Sequence, residues 1–201
     1  MQKQTGIPVR FSEQQGKTLI LLARRAIMQK FGEDLNESQL TALEDGLADD
    51  SFQYSRGTFV TLTIENNLRG CIGNLTARES VLKSIEKNAR HAAFHDHRFK
   101  PLKKNDLEQI RIEISILTEP EPLDFNDASD LIAILKEKKC GVIIEKGMAS
   151  ATFLPQVWEQ IPEPEEFLSH LCLKAGLAAL AWQTEKLNIM TYEVECFMES
   201  S

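Results

Sequence analysis

The sequence predicts an α+β fold in which a mainly antiparallel sheet is flanked by helices. Segments with apolar residues at every second position alternate along the chain with segments in which apolar residues recur at helical spacing. Two pairs of predicted strands are joined by short turn sequences, which makes each pair an antiparallel hairpin. The chain has 201 residues, enough for one domain with a sizeable core. We therefore expect an N-terminal tail over residues 1–11 and a single domain over residues 12–198.

The first predicted element is a helix over residues 13–31. Ser12 and Gln15 have the spacing of a capping box, in which each residue satisfies a backbone N–H of the other, and apolar residues follow at helical spacing. Residues 33–52 are acidic and only weakly periodic. We interpret them as a connector that contains no more than a short helical turn at residues 38–43.

A hairpin follows the connector. Residues 58–64 are rich in β-branched and aromatic side chains, and residues 68–73 form the second strand. Between them lies Glu65–Asn67, where asparagine tolerates the left-handed backbone of a tight turn. An apolar stripe at helical spacing then predicts a helix over residues 80–94.

The second half of the chain repeats this alternation. Four isoleucines at every second position predict a half-buried strand over residues 110–116. The remaining predicted elements are a helix at 126–138, a hairpin of strands 140–145 and 149–153, helices at 154–158 and 164–180, and a last strand at 188–197. Their order is helix, hairpin, helix, strand, helix, hairpin, helix, strand.

Composition and charge argue against several functional classes. The formal net charge is −7, so nucleic-acid binding through a broad basic surface is not expected. No apolar run approaches the roughly 20 residues that span a bilayer, and the N-terminus has no signal-peptide core. We therefore expect a cytoplasmic protein that does not bind membranes.

The four cysteines do not form a recognisable metal or redox motif. Cys71, Cys140, Cys172 and Cys196 are scattered, and no C-x-x-C spacing occurs. We predict no cofactor, and we expect reduced thiols in a cytosolic setting.

Histidines give a weaker suggestion of a metal site. His91 and His95 lie four residues apart on one predicted helix, so they share a face, and His97 follows closely. Such a cluster can bind zinc, nickel or iron. A solvated helix end explains the same residues, and we favour it and predict no metal site.

The central feature of the chain is Leu68–Gly73, the sequence Leu-Arg-Gly-Cys-Ile-Gly. Glycines weaken a strand unless a bulge or a close backbone approach requires them. Here they flank Cys71, and Arg69 places a positive charge nearby, which favours the reactive thiolate. The alternative is a buried cysteine that packs as a small hydrophobic residue.

Several motifs, in the expected order, resemble those of the AMMECR domain family. They are Gly57–Leu62 with Leu68–Gly73, Ala92–Phe94 with Asp96 and Arg98–Phe99, Gly141–Ile143 with Phe153–Val157, and Phe167–Leu177. The resemblance covers residues 13–198, and the six-residue central motif is highly specific. One departure is His97, where relatives often carry a small residue or proline.

The resemblance implies a larger and a smaller subdomain around an antiparallel sheet, with the central motif at a cleft. Prokaryotic members are assigned to the AmmeMemoRadiSam system as its protein A. This implies Memo-type and radical-SAM proteins as partners. It does not imply a defined reaction, and the roles suggested for the family include transcription, replication, repair and translation.

Cys71 is the candidate catalytic residue. Strand alternation places Arg69 on the same face, so its guanidinium is expected beside the thiol. Backbone N–H groups around Gly70 and Gly73 are candidate donors to an oxyanion. Arg69 and the two glycines are therefore candidate substrate-binding residues.

Asp96, Arg98 and Lys174 complete the candidate site. A carboxylate near a helix C-terminus opposes the helix dipole, so Asp96 needs a partner, for which we consider Arg69, Arg98 or a backbone donor. We favour a network that holds the hairpin against the loop after the helix, while the alternative is that both arginines bind an anionic substrate. Lys174 complements the dipole of its own helix end, with ligand binding as its alternative role.

Two functions remain open. The first is an enzyme component that acts through Cys71 on an unknown small-molecule or peptide ligand. The second is a non-catalytic binding or scaffold module that docks a partner protein or nucleic acid, because the sequence contains no complete catalytic set.

Overall fold

The computed structural model describes residues 10–75 and 79–199, so most of the predicted N-terminal tail lies outside the described residues. The chain divides into two compact units: the first runs to Leu117 and resumes at Glu195, and the second is Thr118–Val194. Both contain helices and an antiparallel sheet, which confirms the predicted α+β class. Among the described helices, none has the length and apolar character needed to cross a bilayer.

The first unit is built on a four-stranded sheet in the order β2-β1-β3-β8. Its helices are α1 (Glu13–Met28), α2 (Glu37–Leu47) and α3 (Val81–Phe94), and its strands are β1 (Thr58–Ile64), β2 (Asn67–Asn74), β3 (Ile110–Leu117) and β8 (Val194–Met198). Short 3-10 helices occur at Gln29–Phe31, Asp50–Gln53 and Lys104–Asp106. β1 pairs antiparallel with both β2 and β3, so β2 is an edge strand.

The two faces of this sheet differ in chemistry. Val60, Leu62, Ile112 and Ile114 are buried in a core with α1 and α3. Because strand side chains alternate between faces, the intervening residues share the opposite face. We call this opposite face the polar face; its members used below are Phe59, Thr61, Cys71, Glu113, Ser115 and Cys196.

The second unit has a sheet in the order β4-β7-β5-β6. Its strands are β4 (Glu121–Pro122), β5 (Gly141–Lys146), β6 (Ala149–Phe153) and β7 (Asn188–Tyr192), and its helices are α4 (Ala128–Lys138), α5 (Val157–Gln160), α6 (Pro164–Lys174) and α7 (Ala181–Thr184). Trp158 stacks on Phe167 in the core, with ring centroids 3.7 Å apart, and its indole N–H donates to the Cys140 carbonyl. Burial with a satisfied N–H is the usual arrangement of a core tryptophan.

The connector predicted over residues 33–52 is wrong in one respect, because it contains the eleven-residue helix α2. Asn36 and Gln39 form a reciprocal capping box at its start. Only Leu43 is buried on this helix. Its weak apolar periodicity follows from this shallow packing, and its end signals identify it better than its pattern does.

Three predicted boundaries in the second half also differ. The short helix predicted over residues 154–158 is α5, which begins at Val157 and ends at Gln160. The last strand, predicted over residues 188–197, is two strands that belong to different sheets, β7 and β8, with Glu193 between them. The helix predicted over residues 164–180 ends at Lys174, since Gly176 adopts a left-handed backbone with φ 77°.

Candidate functional site

Cys71 lies on the edge strand β2, opposite Thr61 of β1. The Thr61 hydroxyl donates a hydrogen bond to the Cys71 sulfur over 3.3 Å, and the cysteine is half-buried. Cys71 and Thr61 form a non-hydrogen-bonded pair of the antiparallel ladder, in which the backbone groups of the two residues point away from each other. Side chains approach most closely at such pairs. The backbone N–H and C=O of Cys71 bond to residues outside the sheet, so they face outward from its edge.

Asp96 and Arg98 occupy this edge. The Cys71 N–H donates to Asp96 Oδ2 over 2.9 Å, and Arg98 Nη2 donates to the Cys71 carbonyl over 3.2 Å. Both residues lie just after α3, which packs against β2. They satisfy the two backbone groups that a further strand would otherwise pair, and so fix the backbone of the cysteine.

The Asp96 carboxylate is held by four hydrogen bonds. Besides the Cys71 N–H, it accepts from Arg98 Nε (3.0 Å), Nη2 (2.7 Å) and the Arg98 backbone N–H (3.1 Å), in a two-pronged pairing. The side chain is 2% exposed, whereas that of Arg98 is 47% exposed. The Arg98 side-chain hydrogen bond, with smaller contributions from the two backbone N–H groups, holds the pKa of Asp96 well below its usual range, although burial opposes this. Of the partners left open by the sequence, Asp96 uses Arg98 and backbone donors.

Arg69 is placed differently. The β1–β2 register pairs Leu62 with Gly70 but Thr63 with Leu68, so Arg69 is the extra residue of a β-bulge. Its Nη2 donates to the Lys100 carbonyl over 2.6 Å and lies 3.9 Å from Asp106 Oδ2. The expectation that simple alternation brings its guanidinium beside the thiol is wrong, because the bulge interrupts the alternation.

Arg98 is the guanidinium that contacts Cys71, through the hydrogen bond from its Nη2 to the Cys71 carbonyl. The pKa of Arg98 is raised above its usual value, first by the hydrogen bond to Asp96 and to a smaller extent by the neighbouring Cys71 thiol. A positive charge near the sulfur, expected from Arg69, is thus supplied by the loop after α3.

The two glycines of the motif are required by close packing. A Cβ on Gly70 would lie 2.2 Å from the Ala92 carbonyl oxygen of α3, and a Cβ on Gly73 would lie 2.3 Å from the Phe59 ring. Neither distance is compatible with a side chain. The predicted oxyanion donors are not free at Cys71 itself, because its N–H is donated to Asp96.

Two polar residues that no sequence motif singles out lie in line with the thiol on the neighbouring strands. Thr61 pairs with Cys71 on one side and with Glu113 of β3 on the other, so these three side chains form a row across the polar face. Burial raises the pKa of the half-buried Glu113. The alternation at residues 110–116 identifies Glu113 as a residue opposite the core, but strand register is needed to place it near Cys71.

Lys174 lies in the second unit, at the last residue of α6. Its Nζ donates to the Thr152 carbonyl over 2.9 Å and lies 4.9 Å from the centre of the Phe153 ring. Both partners belong to the edge strand β6. These contacts give Lys174 a structural role that joins the helix end to the sheet.

His91 and His95, which the sequence offers as possible metal ligands, lie close to one another. The His91 and His95 rings are 5.3 Å apart, and the pKa of His91 is lowered, first by burial and then by His95 and Lys87. Within residues 10–75 and 79–199, no group of three or more histidine, cysteine, aspartate or glutamate side chains is arranged to hold a metal ion.

Comparison with known proteins identifies the family. The family model for AMMECR1 matches residues 20–197. A protein from Methanothermobacter thermautotrophicus is 36% identical over 94% of this chain and 96% of its own length, and one from Nanoarchaeum equitans is 37% identical over 75% and 84%. The crystal structure of an uncharacterized protein from Pyrococcus horikoshii matches with a TM-score of 0.71 and 30% identity, over 94% of each chain. The chain therefore belongs to the AMMECR1 family.

Proposed function

We propose that the protein acts through Cys71 as a reactive or ligand-contacting thiol, on a small-molecule or peptide ligand. The observation that carries the proposal is the set of contacts made by this one residue. Its sulfur accepts a hydrogen bond from Thr61, and its backbone is fixed on both sides by Asp96 and Arg98. A thiol held in one position beside a fixed positive charge is suited to nucleophilic attack or to ligand binding.

The other three cysteines are poorer candidates. The pKa values of Cys140, Cys172 and Cys196 are raised, and burial is the largest cause in each case. Cys196 is exposed as a residue, but its sulfur lies 3.6 Å from the Ser115 hydroxyl. A thiol that resists ionisation is a weak nucleophile at neutral pH, so selective reaction at Cys71 is expected.

The proposal extends to partners. Membership of the family supports an assignment to the AmmeMemoRadiSam system, with Memo-type and radical-SAM proteins as the partners of this chain. A cytoplasmic location is part of the proposal, because a functional thiol stays free most readily in a reducing compartment.

Limiting alkylation tests the thiol. Folded protein is treated with substoichiometric iodoacetamide, and the modified cysteines are identified by peptide mass spectrometry. We expect Cys71 to be labelled before Cys172 and Cys196. Preferential labelling of either of the other two in folded protein contradicts the proposal.

A pull-down from the native organism tests the partners. Wild type is compared with Cys71→Ala and, as a matched control, Cys196→Ala. We expect Memo-type and radical-SAM proteins with wild type and the control, and reduced capture with Cys71→Ala. Capture of neither protein by the wild type contradicts the partner assignment.

A non-catalytic binding module is the second candidate. Among the described residues, the hydrogen-bond partner of the Cys71 sulfur is a hydroxyl and not a histidine or carboxylate base. The two candidates differ in the outcome for Cys71→Ser, which keeps the size and polarity of the side chain. Full partner capture with this variant favours the binding module.

A further inference from the structure

The polar face offers a second functional group two strands away from Cys71. Thr61 is paired in register with Cys71 and with Glu113, so the three side chains stand side by side on adjacent strands. Neighbouring strands are about 4.8 Å apart, which separates the backbones of Cys71 and Glu113 by about 10 Å. No hydrogen bond joins the two side chains, and this spacing suits a small ligand that bridges them over Thr61.

The surroundings leave the Glu113 carboxyl available. It makes no hydrogen bond or ion pair with any described residue, although it is half-buried. A half-buried carboxyl without a partner is costly, since burial removes water without supplying a donor. Such a group is a candidate for ligand binding.

The charged and titratable groups on this face are few. Cys71 lies on one side of Glu113 beyond Thr61, Cys196 of β8 interacts with it electrostatically, and Arg111 lies two residues before it on β3. Phe59 borders the row, because it pairs with Ser115 and its ring covers Gly73. The face therefore combines a thiol, a hydroxyl, a carboxyl and an aromatic edge.

We infer that Glu113 is the second ligand-binding group of the Cys71 site, and that it binds an amino group of a ligand whose other end contacts the thiol. The inference rests on the proposed function and names the ligand as an amine, either a small molecule or the N-terminus of a peptide. Among the described residues, the carboxylate has neither a hydrogen-bond donor nor a positive charge as its partner, and an ammonium group supplies both. It also favours ionisation of Glu113, which in the free protein is opposed by burial.

Two thiol reagents of similar size test this inference. Aminoethyl methanethiosulfonate carries an ammonium group, and methyl methanethiosulfonate is neutral. Each transfers its alkylthio group to the Cys71 thiolate, forming a disulfide and releasing methanesulfinate. The aminoethyl chain extends from the sulfur toward the next strands, where the inference places Glu113.

The measured quantity is the ratio of the two rates at Cys71, near neutral pH and at low salt. We expect Glu113→Gln to lower the aminoethyl-to-methyl ratio about threefold to tenfold, the effect of losing one charge at about 10 Å in a partly shielded site. The matched control Glu108→Gln removes an exposed carboxylate of the same unit and is expected to leave the ratio unchanged. Glu113→Asp retains the charge and is expected to keep most of the preference.

The outcomes separate the two proposals. If Cys71 reacts selectively but the ratio is the same in wild type and Glu113→Gln, the inference is overturned and the proposed thiol function stands. If Cys71 is not the cysteine that reacts, the proposed function itself is overturned. Circular dichroism establishes that each variant is folded, and Glu113→Ala provides the test if Glu113→Gln is not.

Discussion

The Asp96 carboxylate accepts the backbone N–H of Cys71 over 2.9 Å, across 25 residues of chain. The hydrogen bond joins the loop after α3 to the edge strand that carries the thiol. Because Asp96 also holds Arg98, one buried carboxylate positions both the backbone of the cysteine and the cation beside it. The stability of the site therefore depends on this residue.

Replacement of Asp96 by asparagine tests this dependence. The new amide would direct an NH2 group at donors that now bind an oxygen, and the charge that pairs with Arg98 would be lost. We expect Asp96→Asn to lower the free energy of unfolding by about 2–3 kcal/mol, measured by urea denaturation, as for other buried polar groups that lose their partners. Asp34→Asn, at an exposed pair with Arg25, is the control and is expected to cost clearly less, because solvent screens an exposed ion pair. Unchanged stability in Asp96→Asn contradicts a structural role.

The lowered pKa of Asp96 predicts how the free energy of unfolding changes with pH. The ordinary pKa of an aspartate is 3.8, and that of folded Asp96 is lower, so on acidification the unfolded chain takes up the proton first. Its stabilising contribution is complete above about pH 5 and is lost as the pH falls below about 4 toward the folded pKa. We expect the difference in unfolding free energy between wild type and Asp96→Asn to shrink over this range. A difference that is constant from about pH 7 to about pH 3 contradicts the assignment.

A methyl group at Gly70 tests the contact between β2 and α3. The added Cβ would lie 2.2 Å from the Ala92 carbonyl oxygen, which is backbone and cannot turn aside. We expect Gly70→Ala to destabilise the protein by about 2–3 kcal/mol in thermal or urea unfolding. In Gly147→Ala the new Cβ meets no atom within 4 Å. Because residue 147 has a positive φ of 59°, we expect this control to lower the free energy of unfolding by about 1 kcal/mol. Equal costs for the two variants contradict the close approach.

Removal of the Lys174 ammonium tests its structural role. Lys174→Met keeps much of the apolar stem and loses both the hydrogen bond to the Thr152 carbonyl and the contact with Phe153. We expect a loss of about 1 kcal/mol in unfolding free energy. Lys186→Met, at an exposed position of the same unit, is the control and is expected to stay within about 0.5 kcal/mol of wild type. A change in ligand binding without a change in stability favours the alternative role for Lys174.

Local chemistry is a good guide to the elements of the fold. The capping box at Ser12 is set by a few neighbouring residues and can be predicted from them. The same holds for the turn at Glu65 and Asn66, two residues that both have a positive φ. The pattern does not reveal α2, because this helix buries only Leu43 and so lacks a clear stripe. The division of the last strand between two sheets depends on pairing with distant strands, which no local pattern encodes.

The candidate site shows the same limit more sharply. Cys71 stands out because glycines flank it, and Asp96 because a carboxylate near a helix C-terminus needs a partner such as Arg98. The structure brings these three residues together. Arg69 is misplaced by simple alternation, because a single extra residue in β2 changes the direction of its side chain. Glu113 cannot be selected from the sequence, because its position beside Thr61 follows from register across three strands, which is a property of the assembled sheet.

The route of the chain has a consequence for how the protein is made. The first sheet takes its strand β8 from residues that follow the second unit, and Arg24 of α1 pairs with Glu199. During synthesis, therefore, the thiol-bearing sheet cannot be finished until the ribosome has released the residues up to Glu199. The second unit is one uninterrupted segment, so all of its strands and helices have been synthesised before the last strand of the first sheet is complete.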